Sequence, residues 1–82
     1  MPSPCPLCRV PLHTEAVVVA LLPACPLRRR LMDLGLTCGA AVCPLFRAPS
    51  GHPTAYRIGG TVVALRDADA EAILVIPENR GE

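Results

Sequence analysis

Short apolar runs separated by turn residues make up most of the chain. The first long run, Glu15–Leu22, is rich in valine and ends at Pro23, which is typical of a β-strand. Apolar and polar positions do not alternate within it, so we expect both of its faces to be covered, as in a small closed barrel. Four further strands are predicted at Ala40–Phe46, Thr54–Ile58, Thr61–Leu65 and Ile73–Ile76.

Local signals refine three of these strands. Residues Thr54–Ile58 alternate, which predicts that Tyr56 and Ile58 point inward. The pair Gly59–Gly60 is typical of a two-residue hairpin turn that joins this strand to the next. Pro44 removes a hydrogen-bond donor from its own strand, so that strand is predicted to lie at an edge of the sheet or to contain a bulge.

Two helical segments are predicted between the strands. The first helix is predicted at Pro26–Leu34, with proline at the first helical position. Three leucines recur at helical spacing, which predicts that one apolar stripe of this helix packs against the sheet. The leucines are Leu27, Leu31 and Leu34. Gly35 follows as a left-handed cap, and Asp67 is predicted to cap a single helical turn that runs to Glu71.

These elements predict a mainly β protein. It would be a small barrel of about five strands, with one short α-helix after the first strand and a helical turn before the last strand. Residues 1–11, which are rich in proline and cysteine, are predicted to form a flexible extension. The barrel would span residues 12–76, and residues 77–82 would form a polar tail.

Composition excludes several classes of function. The 82 residues include eight arginines, no lysine and seven acids, for a formal net charge of +1, and aromatic residues make up 2%. This balance argues against nucleic-acid binding, which requires more positive charge and exposed aromatic residues. The run Ala16–Leu27 is interrupted by two prolines and is too short to span a bilayer, and the N-terminus lacks the pattern of a signal peptide. The protein is therefore expected to be cytoplasmic without direct membrane insertion.

Catalytic motifs are also missing. Ser3 and Ser50 are the only serines, and neither lies in a nucleophile elbow. Neither histidine has an acidic residue at a spacing typical of a catalytic pair, and there is no phosphate-binding glycine loop. The sequence therefore indicates that the protein is not an enzyme.

The five cysteines raise the alternative of metal binding. An odd number of cysteines without a secretory signal argues against a disulfide scaffold. Cys5 and Cys8 have the spacing of a zinc knuckle, and His13 follows within a few residues. Zinc suits these ligands better than ferrous iron does. Cys38 and Cys43 could in principle complete a four-thiolate site, but four residues separate them, which is wider than the usual second pair. Ordinary free thiols are the favoured interpretation of these cysteines.

Several segments, in the same order along the chain, resemble the FeoA family of bacterial ferrous iron uptake. They are Arg30–Leu36 (R-L-x-x-L-G-L), Gly39–Val42 (G-x-x-V), Ala48–Pro53 (A-P-x-G-D-P), Gly60 with Leu65–Arg66, and Asp69–Ala70 with Ile73 and Val75. The resemblance extends from about Leu12 to Val75. His52 stands where the family usually has aspartate, and the cysteine-rich start is not part of the family pattern.

The resemblance implies an SH3-like barrel that acts as an accessory of FeoB, the membrane transporter for ferrous iron. The family member would dock on the cytoplasmic side of FeoB, which carries a GTP-binding domain. The same barrel forms the C-terminal domain of iron-dependent repressors. No cofactor is firmly implied.

Two regions are expected to form the docking surface. The first is the helix Pro26–Leu34, where Arg28, Arg29 and Asp33 lie on the solvated side and the arginines would contact an acidic partner surface. The second is the loop that contains Pro49 and His52. A solvated helix face is the alternative interpretation of the arginines. A homo-oligomer formed by edge-to-edge pairing of Val42–Phe46 also remains open.

Overall fold

The computed structural model describes residues 3–23, 27–51 and 53–78. The strands of this part are β1 (Cys5–Pro6), β2 (Ala16–Leu21), β3 (Ala41–Arg47), β4 (Thr54–Ile58), β5 (Thr61–Leu65) and β6 (Ile73–Pro77). The α-helices are α1 (Arg28–Asp33), between β2 and β3, and α2 (Asp67–Glu71), between β5 and β6. The prediction of a mainly β fold with one helix after the first long strand and a helical turn before the last strand is confirmed.

The described strands form one antiparallel sheet in the order β1-β6-β2-β3-β4-β5. The β4–β5 hairpin closes at Ile58 and Thr61, around the turn predicted at Gly59–Gly60. Strand β2 pairs along its length with β6 but pairs with β3 only at Ala16 and Val17. Because Val17 pairs with Ala41, the first residue of β3, the C-terminal end of β2 extends beyond the start of β3.

The core is aliphatic with one aromatic ring at its centre. Tyr56 and Ile58 are buried, as predicted, and Arg57 between them is exposed. The other buried side chains of the cluster include Val18, Leu31, Leu36, Val42, Leu65, Ile73 and Val75. These side chains come from α1, from the segment that joins α1 to β3 and from five strands, so the sheet and α1 enclose one core.

Residues 5–10 belong to this fold, which differs from the prediction of a flexible extension. Cys5–Pro6 pairs with β6, and the following residues form a 3₁₀ turn, Leu7–Arg9. Leu7 and Val10 are 0% and 2% exposed within the core. The apolar residues of this segment are few and irregularly spaced, yet their burial holds it against the sheet. Strand β1 is the sixth strand, beyond the five that the sequence predicts.

At the end of α1 the predicted glycine cap is confirmed, but the predicted burial of Leu34 is wrong. Gly35 has a φ of 103°, and the amide of Leu36 donates to the carbonyl of Leu31 at 2.9 Å, as in a Schellman motif. This reversal buries Leu36, whereas Leu34 remains 41% exposed. Leu31 is buried as predicted. The predicted aspartate cap of α2 is also wrong, because the cap position is Arg66 and no side-chain hydrogen bond caps the helix.

Strand β3 is not an edge strand, because it lies between β2 and β4. Pro44 instead lies at an irregularity of the β3–β4 register, between Pro44 and Phe46. Its carbonyl accepts a hydrogen bond from the amide of His13 at 2.7 Å, so a loop takes the place of a neighbouring strand there. The alternative prediction of a bulge is thus confirmed, whereas edge pairing through Val42–Phe46 is wrong.

Candidate docking surface and thiol pair

Helix α1 presents a charged surface at the C-terminal end of β2. Arg28, Arg29 and Arg30 are all exposed. The guanidinium Nε of Arg28 donates to the carbonyl of Leu21, the last residue of β2, at 3.4 Å. This contact anchors the start of α1 beside the strand. The predicted solvated face is therefore present, and the three positive charges are available for contact with another molecule.

The remainder of α1 adds apolar area to this charged surface. Asp33 is exposed, as predicted. Met32 and Leu34 are each 41% exposed, which is high for side chains of this size in a small domain. The outer side of α1 therefore combines arginine side chains with apolar groups. Such a combination is typical of protein–protein interfaces, where arginine and methionine are enriched.

An open apolar groove lies at the same end of β2, where its lining residue Leu22 follows Leu21, the residue that Arg28 contacts. Its volume is about 340 Å³. Leu22, Ala68, Glu71 and Ala72 line it. The amide of Leu22 donates to the carbonyl of Ala72 at 2.8 Å, which fixes β2 against the end of α2. Leu22 is 39% exposed.

Sequence reasoning did not identify this groove. Its residues come from two segments that are separated by about half the chain. The only local signal is the spacing of Ala68 and Ala72, which places two small side chains on one face of a helical turn. We refer to the groove residues together with α1 as the helical end of the sheet.

The predicted docking loop lies elsewhere. Helix α1 precedes β3, whereas the loop that contains Pro49 follows it, so the two lie at opposite ends of that strand. A seven-residue strand separates its ends by about 20 Å. Pro49 is exposed, and His52 lies outside the described residues. The structure therefore does not bring the loop and α1 together into one compact surface.

The predicted metal ligands are distributed over different parts of the fold. Cys5 lies in β1, and Cys8 lies in the 3₁₀ turn that packs on α2. Both are half-buried against the core. His13 is exposed, and its backbone is bonded to β3 through Pro44. Of the predicted ligands, Cys8 is the one that lies beside the helical end of the sheet.

Burial raises the pKa of the Cys8 thiol, and the negative charges of Asp67 and Glu71 raise it further. The protonated thiol is therefore favoured when no cation is bound. A cation changes this balance, because it stabilises the thiolate and is itself attracted by both carboxylates. Glu71 also lines the groove, so the Cys8 environment and the groove share one charged side chain.

Residues 3–23, 27–51 and 53–78 contain no cluster of three or more histidine, cysteine and acidic side chains arranged to hold a metal ion. Cys5, Cys8 and His13 all belong to these ranges and are not brought together as a three-ligand site. Of the other cysteines, Cys38 is exposed, Cys43 is buried, and Cys25 lies outside the described residues.

The FeoA domain family matches the sequence over residues 5–77, which is nearly all of the chain. The chain belongs to the FeoA family. The resemblance found in the sequence is thereby confirmed. The match begins at Cys5, upstream of Leu12, in agreement with the position of β1 in the sheet.

Solved structures of FeoA proteins share this fold. A FeoA-like protein from Clostridium acetobutylicum is 29% identical, with a TM-score of 0.87, and the match covers 100% of this chain and 95% of that chain. FeoA from Chlorobium tepidum is 34% identical with a TM-score of 0.83, and the match covers 93% and 72% of the two chains. FeoA from Stenotrophomonas maltophilia, solved with zinc, is 33% identical with a TM-score of 0.78 over 92% and 96% of the two chains.

The S. maltophilia protein is described as a prokaryotic SH3 domain protein and a candidate activating factor of ferrous iron transport. The predicted SH3-like fold is thus confirmed, and the chain belongs to a family associated with ferrous iron transport. A manganese-dependent transcriptional repressor, 20% identical with a TM-score of 0.80, shares the fold over 44% of its own length. Among curated proteins, none matches this sequence. Neither α1 nor α2, the helices of the described part of the chain, has the length and hydropathy of a transmembrane helix.

Proposed function

We propose that this FeoA protein is a non-catalytic, cytoplasmic accessory of ferrous iron uptake that docks on the cytoplasmic side of FeoB through the helical end of the sheet. The observation that carries the proposal is the juxtaposition of exposed arginines on α1 with an open apolar groove. Arg28 contacts Leu21, and the next residue, Leu22, lines the groove. The two features therefore lie within the reach of one partner segment.

The chemistry of this surface specifies the partner segment. Arginine guanidinium groups form bidentate hydrogen bonds with carboxylates, so acidic side chains would face α1. A small apolar side chain would enter the groove between Leu22 and Ala72. We therefore expect FeoB to contribute a segment in which an apolar residue lies close to an acidic residue. Asp33 would contribute to orientation at the far end of α1.

Calorimetric titration into the cytoplasmic GTPase region of FeoB from the same organism, with and without a GTP analogue, tests this proposal. Arg28→Glu and Arg29→Glu should each weaken binding about tenfold or more, because each replaces an attraction with a repulsion. Ala68→Lys should also weaken binding, because its side chain obstructs the groove. Arg57→Glu makes the same charge change on β4, outside the helical end of the sheet, and serves as the control.

Equal weakening by Arg57→Glu would indicate a general charge effect and would contradict docking through α1. Unchanged binding in the α1 variants would contradict it as well. The loop is tested separately with Pro49→Ala, since Pro49 and the adjacent His52 were expected to take part in docking. Because the loop and α1 lie beyond opposite ends of β3, which is about 20 Å long, the effect of Pro49→Ala should be additive with that of Arg28→Glu.

Thiol-based binding of zinc or iron is a second candidate function. Its support is the half-buried Cys8 thiol beside the carboxylates of Asp67 and Glu71, with Cys5 three residues earlier. The zinc complex of the S. maltophilia relative makes zinc the first metal to test. Metal content after purification without chelator should approach one equivalent and should be lost in Cys5→Ser/Cys8→Ser. Cys38→Ser is the matched control, and metal retained in the double variant would contradict this site.

His13 remains a proposed third ligand. Its backbone bond to Pro44 fixes the loop on the β3 side, so the loop would have to rearrange to bring the imidazole to Cys8. His13→Ala should then lower zinc affinity without abolishing binding. An unchanged affinity would remove His13 from the ligand set.

A further inference from the structure

Strand β5 has an edge that no other strand of the described residues pairs with. It is the last strand in the sheet order, and β4 is its neighbour on one side only. Because the hairpin turn has two residues, Ile58 and Thr61 form a hydrogen-bonded pair, and hydrogen-bonded pairs then alternate along the hairpin. The amide and carbonyl groups of Val62 and Ala64 therefore point away from β4. No backbone hydrogen bond outside the β4–β5 ladder involves these two residues within 53–78.

This edge lacks the features that usually prevent pairing. Residues 61–65 contain no charged residue and no proline, and the register with β4 is regular over all five positions. Natural edge strands are commonly protected by charges, proline or bulges. The opposite edge of the sheet differs, because β1 is only two residues long. The β5 edge is thus the longer unprotected edge of the described sheet.

The outer face next to this edge is apolar. Facing residues of neighbouring antiparallel strands point to the same side, so Phe46, Ala55 and Ala64 form one row across β3, β4 and β5. Phe46 is 63% exposed, and Val62, in the adjacent row, is 56% exposed. These are the two most exposed large apolar side chains among the described residues.

We propose that the β5 edge pairs antiparallel with the β5 edge of a second copy of this chain, around a twofold axis at Val63. In this register Val62 lies opposite Ala64 of the second copy, and each presents its free amide and carbonyl to the other. Four backbone hydrogen bonds form, two on each side of the axis. The row Phe46–Ala55–Ala64 then continues onto Val62 of the second copy.

Charge favours a second copy over a charged partner strand. Strand β5 is neutral, so two copies meet without repulsion between like charges. The nearest charged residue on the outer face is Arg57, opposite Val62, and it already forms an ion pair with Glu15. An acidic or basic peptide would find no free counter-charge along residues 61–65. Two features therefore favour the self-complementary register: the free amides and carbonyls of Val62 and Ala64, and the absence of charge along β5.

The contact is small, so the dimer should be weak. A five-residue strand pair with a few apolar side chains buries less than the roughly 1,200 Å² that marks the lower limit of standard stable interfaces. We expect a dissociation constant on the order of 100 µM. The helical end of the sheet is formed by β2, α1 and α2 and does not include β5, so pairing leaves the proposed FeoB surface accessible.

The test is a series of ¹H–¹⁵N spectra and sedimentation equilibrium runs on the full chain, from about 20 µM to about 1 mM, which brackets the expected affinity. The amide resonances of Val62 and Ala64 should shift with concentration, and their exchange with solvent should slow. Ala64→Pro removes an outward amide that β4 does not use, and it should weaken dimerisation about tenfold or more, since two of the four hydrogen bonds are lost.

Ala64→Ser keeps the amide and is the matched control, with an affinity expected within about twofold of the original. A chain that stays monomeric up to about 1 mM would overturn the proposal. Concentration-dependent amide shifts in α1 with no change in β5 would also overturn it. Dimerisation of Ala64→Pro at the original affinity would overturn it as well. The amide shifts of the unmodified chain decide the outcome even where the proline variant fails to fold.

Discussion

The hydroxyl of Tyr56 lies inside the core and makes no hydrogen bond with any residue in the described part of the chain. The side chain is 0% exposed, so water does not compensate at the surface. The side chain of Thr54 lies close enough to oppose part of the rise that burial causes in the pKa of Tyr56. The two hydroxyls nevertheless form no hydrogen bond with each other, and the Thr54 hydroxyl accepts one from Nε of Arg47 at 3.2 Å. Tyr56→Phe should therefore stabilise the protein.

The magnitude follows from two opposing contributions. A buried polar group without a partner costs about 1–3 kcal/mol, and this cost disappears with the oxygen. The void left by one oxygen forfeits a few dispersion contacts of about 0.1–0.2 kcal/mol each, or up to about 1 kcal/mol in total. The net gain in the free energy of unfolding should be about 1 kcal/mol. For a domain of this size, that gain raises the melting temperature by about 4–8 °C.

Urea and thermal unfolding followed by far-UV circular dichroism measure this change, since the variant lacks the only tyrosine. Thr54→Val is the matched control, because it removes a buried hydroxyl that does have a partner. It should lower the free energy of unfolding by about 1 kcal/mol. In the double variant the two effects should add to within about 0.5 kcal/mol, because the two hydroxyls do not bond to each other.

A loss of stability in Tyr56→Phe would refute this reasoning, since it would show that the hydroxyl is satisfied in the native state. In that case the double variant Tyr56→Phe/Thr54→Val identifies the hydrogen-bond partner of the Tyr56 hydroxyl. A coupling free energy of about 1 kcal/mol or more would assign the hydrogen bond to Thr54. A loss with no coupling would point to an internal water molecule instead.

Three further predictions concern packing, backbone and ionisation. Leu31→Ala should cost about 2–5 kcal/mol in chemical unfolding, because Leu31 is buried, whereas Leu34→Ala should cost less than about 1 kcal/mol; equal costs would contradict the observed stripe. Gly35→Ala should cost about 1–2 kcal/mol in the same assay, since alanine is strained at a φ of 103°, and a neutral result would argue against the cap. The raised pKa of Cys8 should make iodoacetamide alkylation near pH 8 slower at Cys8 than at exposed Cys38, as followed by mass spectrometry; faster labelling of Cys8 would contradict it.

The raised pKa of Cys8 also makes the stability of the protein depend on pH. The folded-state pKa is raised above the unfolded value, so the folded state holds its proton where the unfolded state has lost it. The contribution to stability is present in full below the unfolded thiol pKa, about 8.5, and is lost as pH rises through the folded value. Cys8→Ser should therefore flatten the fall in stability above about pH 8.5.

Where local signals define an element, the sequence predicts it closely. Strands β4 and β5 begin and end at the predicted residues, because an alternating segment, a Gly-Gly turn and a second apolar run leave one hairpin register. Strand β1 gives no such signal. It has two residues, and its partner Val75 lies near the other end of the chain, so only the folded structure identifies the pairing.

The candidate site was less predictable because it also depends on contacts between residues that are far apart in the sequence. The exposed arginines of α1 follow from helical geometry and were expected. The groove depends on Leu22 meeting Ala72, a contact between residues about 50 positions apart, and neither residue is unusual by itself. Helical periodicity also predicted burial of Leu34, because the pattern does not show that the chain reverses at Gly35 and places Leu36 in the core.

The position of Cys8 links the two proposed functions. Leu7, between Cys5 and Cys8 in the sequence, is fully buried, so chelation by both thiols must either fit the existing β1 geometry or draw Leu7 out of the core. Metal affinity is therefore coupled to the stability of the fold. Glu71 acts on the Cys8 thiol and also lines the groove. A cation held at Cys8 would partly neutralise Glu71, and the groove would then accept an acidic partner segment with less repulsion. Metal binding and docking at the helical end of the sheet would in that case favour each other, and by linkage each would strengthen the other by the same factor.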